Sequence, residues 1–295
     1  MILKILKGYD VIIVDLNQII LSNLLADGSV SKGHKIDENM VRHMILNTIR
    51  SINVKFKSEY GELIIATDNS NYWRKQYFPY YKAHRKKAQK ESKTDWKHVY
   101  DILNKIRQEI KDYLPYRVID IESAEADDTI GTLCHKFGTE LNMGEQILVV
   151  SADKDFIQLQ IYANVKQWDP IRKRWLSHND PKQYLMEHII KGDSGDGVPN
   201  ILSPDNCFVI GERQTPVTSK RMQKYLALFP EQMESPVDRN YFRNETLIDL
   251  SKVPDEIKEK IMDSYNEQEG KDKSKMLNYF IEYKLRNLTE CIGEF

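Results

Sequence analysis

Ile147-Leu-Val-Val-Ser-Ala-Asp-Lys-Asp155 is a short apolar run that breaks into two aspartates. Four consecutive branched apolar residues with no polar alternation read as a strand buried on both faces. Upstream, Val11–Val14, Leu63–Ala66 and Arg117–Ile119 share that texture, and downstream so does Val165–Trp168. Between these runs, Val41, Met44, Ile45, Ile49 and Ile52 recur at helical spacing, as do Trp96, Val99, Tyr100, Leu103, Ile106 and Ile110. Ile130, Leu133, Cys134 and Phe137 mark a shorter helix. Strand–helix alternation predicts an α/β domain over residues 1–180, a parallel sheet with helices on both faces. Asp180-Pro181 then looks like an N-cap followed by proline at the first helical position. Beyond it the pattern predicts helices near 181–191, 218–229, 241–251, 255–267 and 273–287, and hence a C-terminal all-helical domain over 181–295.

With 295 residues, 41% apolar and 29% charged, the chain has the material for a packed core rather than general disorder. Its three cysteines, Cys134, Cys207 and Cys291, form no C-x-x-C pair. That spacing argues against a disulfide framework or a cysteine zinc site and fits a reducing compartment. No apolar run is long enough to cross a bilayer, and the first residues lack the apolar region and cleavage site of a signal peptide. The expected setting is cytoplasmic, with no membrane partner. A net charge of −1 counts against nucleic acid only on average. Residues 71–90 hold seven Lys/Arg, six aromatics and no acid.

Acids gather where strands end. Asp15 closes the first apolar run, Asp68 follows the second, and Asp153 and Asp155 follow the fourth. Open parallel sheets bind ligands outside the carboxyl ends of their strands, so these carboxylates should share one edge. Glu125, Asp127 and Asp128 sit at a predicted helix start, and Asp193 and Asp196 sit in Gly192-Asp-Ser-Gly-Asp196. Any one of them alone reads more simply as a cap or a turn residue. Nine converging acids cannot all stay ionised without compensation, which points to divalent cations. All-oxygen ligands favour Mg²⁺ or Mn²⁺ over zinc, and the spacing does not suit a calcium EF-hand. None of the seven histidines stands in a ligand-spaced pair, so each reads as an ordinary surface or core residue. A carboxylate-held metal pair supports phosphoryl chemistry.

Residues 72–87, Tyr-Trp-Arg-Lys-Gln-Tyr-Phe-Pro-Tyr-Tyr-Lys-Ala-His-Arg-Lys-Lys, follow Asp68 directly. Basic side chains such as Arg74, Lys75, Lys86 and Lys87 suit phosphates, and aromatic faces stack on bases without reading sequence. The bland alternative is a solvated helix with its aromatics in the core. Lys86–Lys93 is charged and nearly free of apolar residues, and is expected to be mobile without substrate.

Taken in order, Asp15, Asp68, Glu125-Ala-Asp-Asp128, Ser151-Ala-Asp-Lys-Asp155 and Gly192-Asp-Ser-Gly-Asp196, with the Arg74–Arg85 segment, resemble the 5′ nucleases of the flap endonuclease superfamily, its bacteriophage members most of all. The resemblance implies a nuclease domain with a helical arch near residues 72–95 and a C-terminal DNA-binding domain. It implies a metal-dependent 5′-to-3′ exonuclease and flap endonuclease that removes RNA primers from lagging-strand fragments. Two Mg²⁺ ions, replaceable by Mn²⁺, would lie among Asp15, Asp68, Glu125, Asp127, Asp153 and Asp155. Asp193 and Asp196 would complete the second site, and Asp128 would serve as a ligand or an outer partner. The sheet-edge acids would hold the tighter ion, and Asp155, Asp193 and Asp196 the looser one. Lys82 would meet the scissile phosphate, with Arg85 and Tyr81 beside it. Flap DNA and RNA/DNA and DNA/DNA duplexes would be the substrates of a monomer, with a single-strand-binding protein and a sliding clamp as partners.

One stretch departs from the family pattern. Val198–Ser219 keeps only Gly211, with Lys220 beyond it, of the usual glycine-rich helix–three-turn–helix, so a variant DNA-binding motif is expected there, with duplex contacts rearranged. Two other readings fare worse. A phosphatase of the haloacid dehalogenase type would need a second aspartate where Asn17 stands. A non-catalytic DNA-binding factor would not need every acid retained.

Overall fold

A computed structural model describes residues 10–26, 37–92, 94–138 and 146–295, without the side chains of residues 23, 25, 26 and 86–88. The five expected strands form: β1 (Val11–Asp15), β2 (Glu62–Ala66), β3 (Arg117–Ile119), β4 (Ile147–Val150) and β5 (Val165–Asp169). They pair in parallel in the order β3-β2-β1-β4-β5. A sixth strand, β6 (Arg174–Leu176), adds antiparallel to β5 at the edge. Three residues carry no legible period. What holds β6 in place is tertiary, an aromatic group in which Trp175 meets Trp168 at 5.1 Å and Phe56 at 5.8 Å.

Alternate residues of each strand serve opposite faces, as a period of two requires. Ile12, Val14, Leu63, Ile65, Leu148 and Val150 pack with α1 (Leu16–Ala26), α2 (Glu38–Tyr60) and α5 (Trp96–Tyr113). Val11, Ile13, Ile64, Ile147 and Val149 pack with α6 (Ala126–Phe137). Buried between α2 and α5, Arg42 pairs with Glu109 at 2.6 Å. The sequence reading missed α1, although Leu16, Ile19, Ile20 and Leu24 have helical spacing and are all buried.

The segment expected to form an arch is helical, with α3 (Trp73–Tyr77) and then α4 (Ala83–Glu91). The side chains of Lys86 and Lys87, and the whole of Lys93, lie outside the described residues. A third core joins Phe78 and Tyr81 to α7 (Pro181–Lys191), α9 (Ser219–Leu226) and α10 (Val237–Ile248), with α8 (Cys207–Ile210) alongside. As the sequence predicts, Asp180 caps α7 and Pro181 occupies its first turn.

Beyond α10 the chain returns to the sheet. On the α6 side, α11 (Asp255–Glu267) contributes Ile257, Ile261 and Tyr265. On the other side, α12 (Met276–Glu282) and α13 (Arg286–Thr289) contribute Met276, Tyr279, Phe280 and Leu288. Phe280 is fully buried, a burial worth about 1.5–3 kcal/mol. The single helix expected over 273–287 is broken because Lys284 adopts φ 55° and the Leu285 N–H donates to the Phe280 carbonyl. That turn folds Leu285 and Leu288 back into the core. Residue 180 therefore marks where the strands stop, while the packing of the last helices is shared with the sheet.

Candidate active site

The strand order reverses between β1 and β4, and ligand sites of open α/β sheets lie at that switch point. Asp15 ends β1, and its carboxylate accepts from the Gln18 N–H at 3.1 Å and the Ser151 hydroxyl at 3.3 Å. Asp68, just past β2, accepts from the Asn17 amide at 2.7 Å and the Ala126 N–H at 2.8 Å. Asp153 caps the 3-10 turn Lys154–Ile161 and accepts from the Asp155 N–H at 3.0 Å. Asp127 enters from the first turn of α6. Asp193 and Asp196 enter from the connection after α7. That connection needs its glycines. Gly192 has φ 67°, and a Cβ there would stand 2.4 Å from the Val198 carbonyl, while one at Gly197 would stand 2.8 Å from the His84 ring.

Asp15, Asp68, Asp127, Asp153, Asp155, Asp193 and Asp196 line one cleft of about 370 Å³ with Lys82 and Arg85. Seven carboxylates thus face two cations. Burial and then the neighbouring Asp68 push Asp15 up to about 7. Burial and then Asp153 drive Asp127 well above its ordinary range, and burial and then Asp153 do the same to Asp155. Asp153 is raised as well, again by burial first. Buried carboxylates with this deficit of positive charge fit divalent cations.

Glu125 and Asp128 do not line the cleft. Arg74, only 2% exposed, pairs with Asp128 at 2.7 Å and Glu125 at 3.0 Å and donates to the Leu247 carbonyl. Trp73 Nε1 also donates to Asp128, at 3.1 Å. Four expectations need correcting. Glu125, expected among the metal ligands, is buried against Lys82, Arg74 and Tyr81 instead of lining the cleft. Asp128 cannot reach the cleft, because it is fully enclosed by Arg74, Trp73 and the backbone of Glu125. Arg74 cannot contact a nucleic acid, because its guanidinium is spent on these buried carboxylates. Tyr81 is likewise buried, and its hydroxyl is shared between Glu125 at 2.9 Å and Asp196 at 2.6 Å, so it positions acids rather than meeting a base. Lys75 is partly exposed, its ammonium 4.2 Å from the Tyr72 ring.

Lys82 joins the buried network to the cleft. Its ammonium lies 2.5 Å from Glu125 and 3.4 Å from Asp196, and its N–H donates to the Asp196 carbonyl at 2.7 Å. The residue holds φ 54°, a left-handed conformation uncommon outside glycine. Arg85, about half exposed, reaches Asp196 at 2.5 Å from the rim.

The sequence reading missed His188. Its ring lies 3.7 Å from both Asp155 and Asp193. Burial works against its charged form, but Asp193 and Asp155 outweigh burial and raise its pKa, while His188 in turn holds Asp193 below the usual carboxylate range. The available signal was its place in the last helical turn, five residues before Asp193.

Residues 10–189 match the family described as 5′-3′ exonuclease, N-terminal resolvase-like domain, and residues 180–295 match that described as T4 RNase H, C terminal. The chain is 38% identical to the ribonuclease H of Enterobacteria phage T4 over 96% of its own length and 95% of that protein. The chain belongs to the 5′-3′ exonuclease family. Its members are metal-dependent nucleases, and so is this enzyme. A flap endonuclease Xni from Shewanella sp. (strain MR-4) is 34% identical, over 44% of this chain and 48% of that one. The fold is also that of the D15 flap endonuclease of bacteriophage T5, with a TM-score of 0.61 at 17% identity over 88% of this chain and 98% of the other. Among the described residues no helix is long and apolar enough to cross a membrane.

Proposed function

We propose that this 5′-3′ exonuclease family member is a Mg²⁺-dependent 5′-to-3′ exonuclease and flap endonuclease. It hydrolyses phosphodiester bonds in RNA/DNA and DNA/DNA duplexes and 5′ flaps, and removes RNA primers during phage DNA replication. One observation carries the reading: seven aspartates from the sheet edge and the facing loop converge on a single cleft with Lys82 and Arg85. The similar T5 enzyme is described in complex with DNA and metal ions, which supports a nucleic-acid substrate and a cation site.

In this reading Asp15, Asp68, Asp127 and Asp153 hold one ion, and Asp155, Asp193 and Asp196 a second. Bound there, the ions supply water activation at neutral pH and stabilisation of the leaving oxygen. The protein's own groups do the rest. Burial would lower the pKa of Lys82, but Asp196 and Glu125 outweigh it and keep the ammonium protonated. Its charge is thereby fixed beside the cleft, ready for a scissile phosphate. Arg85, on the exposed rim, receives the strand as it enters. Glu125 takes the underside of Lys82 and is itself held by Arg74.

The test is incubation of a 5′-labelled flap duplex and an RNA/DNA duplex with the full chain, in Mg²⁺ or in EDTA. Metal-dependent release of short 5′ products from both supports the reading. Binding without cleavage in Mg²⁺ and Mn²⁺ alike would overturn it and leave a DNA-binding factor.

A further inference from the structure

We infer that His188 is a nitrogen ligand of the second ion and makes that site prefer Mn²⁺ to Mg²⁺; the inference rests on the two-ion reading above. His188 leaves the last turn of α7, where the Gly192 N–H donates to its carbonyl at 2.8 Å and ends the helix. The ring lies between two expected ligands of the looser ion, with Nδ1 3.7 Å from Asp155 Oδ1 and Nε2 3.7 Å from Asp193 Oδ2. Both separations are too long for hydrogen bonds. Nδ1 is shut off from solvent and has no hydrogen-bond partner, although a buried polar nitrogen is costly to leave unmatched. One ligand atom each from Asp155, His188 and Asp193 lie within 4.8 Å of one another. A first-row divalent ion sits about 2.0–2.2 Å from its donors, so two of its ligands lie up to roughly 4.4 Å apart. The trio is therefore within a small side-chain adjustment of a shared ion. Tyr184, one turn earlier, packs edge-on against the imidazole and fixes the plane of the ring.

The chemistry of the donor set then separates the two sites. Asp15, Asp68, Asp127 and Asp153 offer oxygen alone, which suits Mg²⁺. Asp155, Asp193 and His188 offer two oxygens and an imidazole nitrogen. Imidazole suits transition metals, and Mn²⁺ accepts a mixed oxygen–nitrogen shell more readily than Mg²⁺.

The full chain, without DNA, is titrated with Mn²⁺ and with Mg²⁺, counting bound ions by calorimetry and by the loss of the free Mn²⁺ resonance. Mn²⁺-loaded wild type should show electron spin-echo modulation from imidazole nitrogen, and His188→Asn should abolish it. The same variant should weaken Mn²⁺ at the looser site by at least about tenfold and leave Mg²⁺ there nearly unchanged. His188→Gln, which keeps a polar side chain without an imidazole, should behave in the same way, and thermal melts establish that both fold. Bound Mn²⁺ without nitrogen modulation in wild type would overturn the inference, and so would an unchanged Mn²⁺-to-Mg²⁺ ratio in both variants. No stoichiometric Mn²⁺ binding at all, or binding indifferent to Asp153→Asn, would instead defeat the underlying two-ion reading.

Discussion

Glu125 and Asp127 stand two residues apart at one helix start, yet the chain treats their charges in opposite ways. Both are buried. For Glu125, burial alone would raise the pKa, but Lys82 and then Arg74 outweigh it and hold the carboxyl below its ordinary range. For Asp127, burial and Asp153 act together and drive it well above that range. Glu125 belongs to a closed network with Arg74, Asp128, Tyr81 and Lys82, in which each carboxylate oxygen has a hydrogen-bond donor or the Arg74 guanidinium beside it. Asp127 belongs to an edge where the carboxylates meet mostly one another. Buried charge is compensated where it supports the site and left uncompensated where a cation is to complete it.

The largest expected effect comes from breaking the uncompensated side. Asp153→Asn or Asp127→Asn should lower single-turnover flap cleavage by several orders of magnitude while DNA affinity holds or improves, since a carboxylate also repels phosphate. Loss of affinity in parallel with cleavage, in a folded protein, would make these acids structural. On the compensated side, Arg74→Met should cost stability instead, about 3–5 kcal/mol in urea unfolding, because it leaves two buried carboxylates without their cation. Lys82 bridges the two regions. Lys82→Ala should slow single-turnover cleavage roughly 10²–10³-fold with little change in flap affinity, and exposed Lys90→Ala is the control. Equal small losses in both variants would leave only diffuse electrostatics.

Asp128→Asn sharpens the contrast with its neighbour. An amide keeps the shape and can still accept from Trp73, so cleavage should fall by no more than about tenfold, the lower end for an outer partner. A separate effect is on stability against pH in metal-free protein. Asp15 titrates near 7 in the folded state, above its unfolded value of 3.8, so its proton binds the folded form more tightly. Its contribution therefore grows as pH falls below about 7, on the order of 1 kcal/mol per pH unit, and is absent above that pH. Asp127, Asp153 and Asp155 act in the same direction. Glu125 and Asp193, held low, lose their contributions only at still more acid pH. Thermal melts in EDTA should rise from pH 8 toward pH 5, and Mg²⁺ or Mn²⁺ should flatten that slope.

How much was legible follows from how local each signal was. Val11–Val14 and Ile147–Val150 are apolar on both faces, so their strands, and the aspartates just past them, could be read from a few residues. β6 could not, since its three residues show no period and part of its hold is on Phe56, far away in the chain. Arg74 sits in a basic run whose composition suggests phosphate contact, and only the path of α6 and α10 shows that its charge is consumed inside. His188 lacked a ligand-spaced partner because its partners come from two different connections, one after β4 and one after α7. Likewise, a helical pattern past residue 250 says nothing about which sheet face each helix will cover.

That last feature also governs how the chain folds. The strands are all available by residue 176, but their two faces are closed by α11 on one side and by α12 and α13 on the other. Contacts such as Tyr279 to Glu109 and Asn53 to Glu294 span 170 and 241 residues of sequence. Closing loops of that length costs entropy before it returns any contact, which makes folding slow. At about 5–20 residues per second, a ribosome needs roughly 5–20 s to add the hundred or so residues between β6 and α12. For that interval the apolar faces of the sheet stand partly open, and the nascent chain is at its most exposed to chaperones and to its own copies.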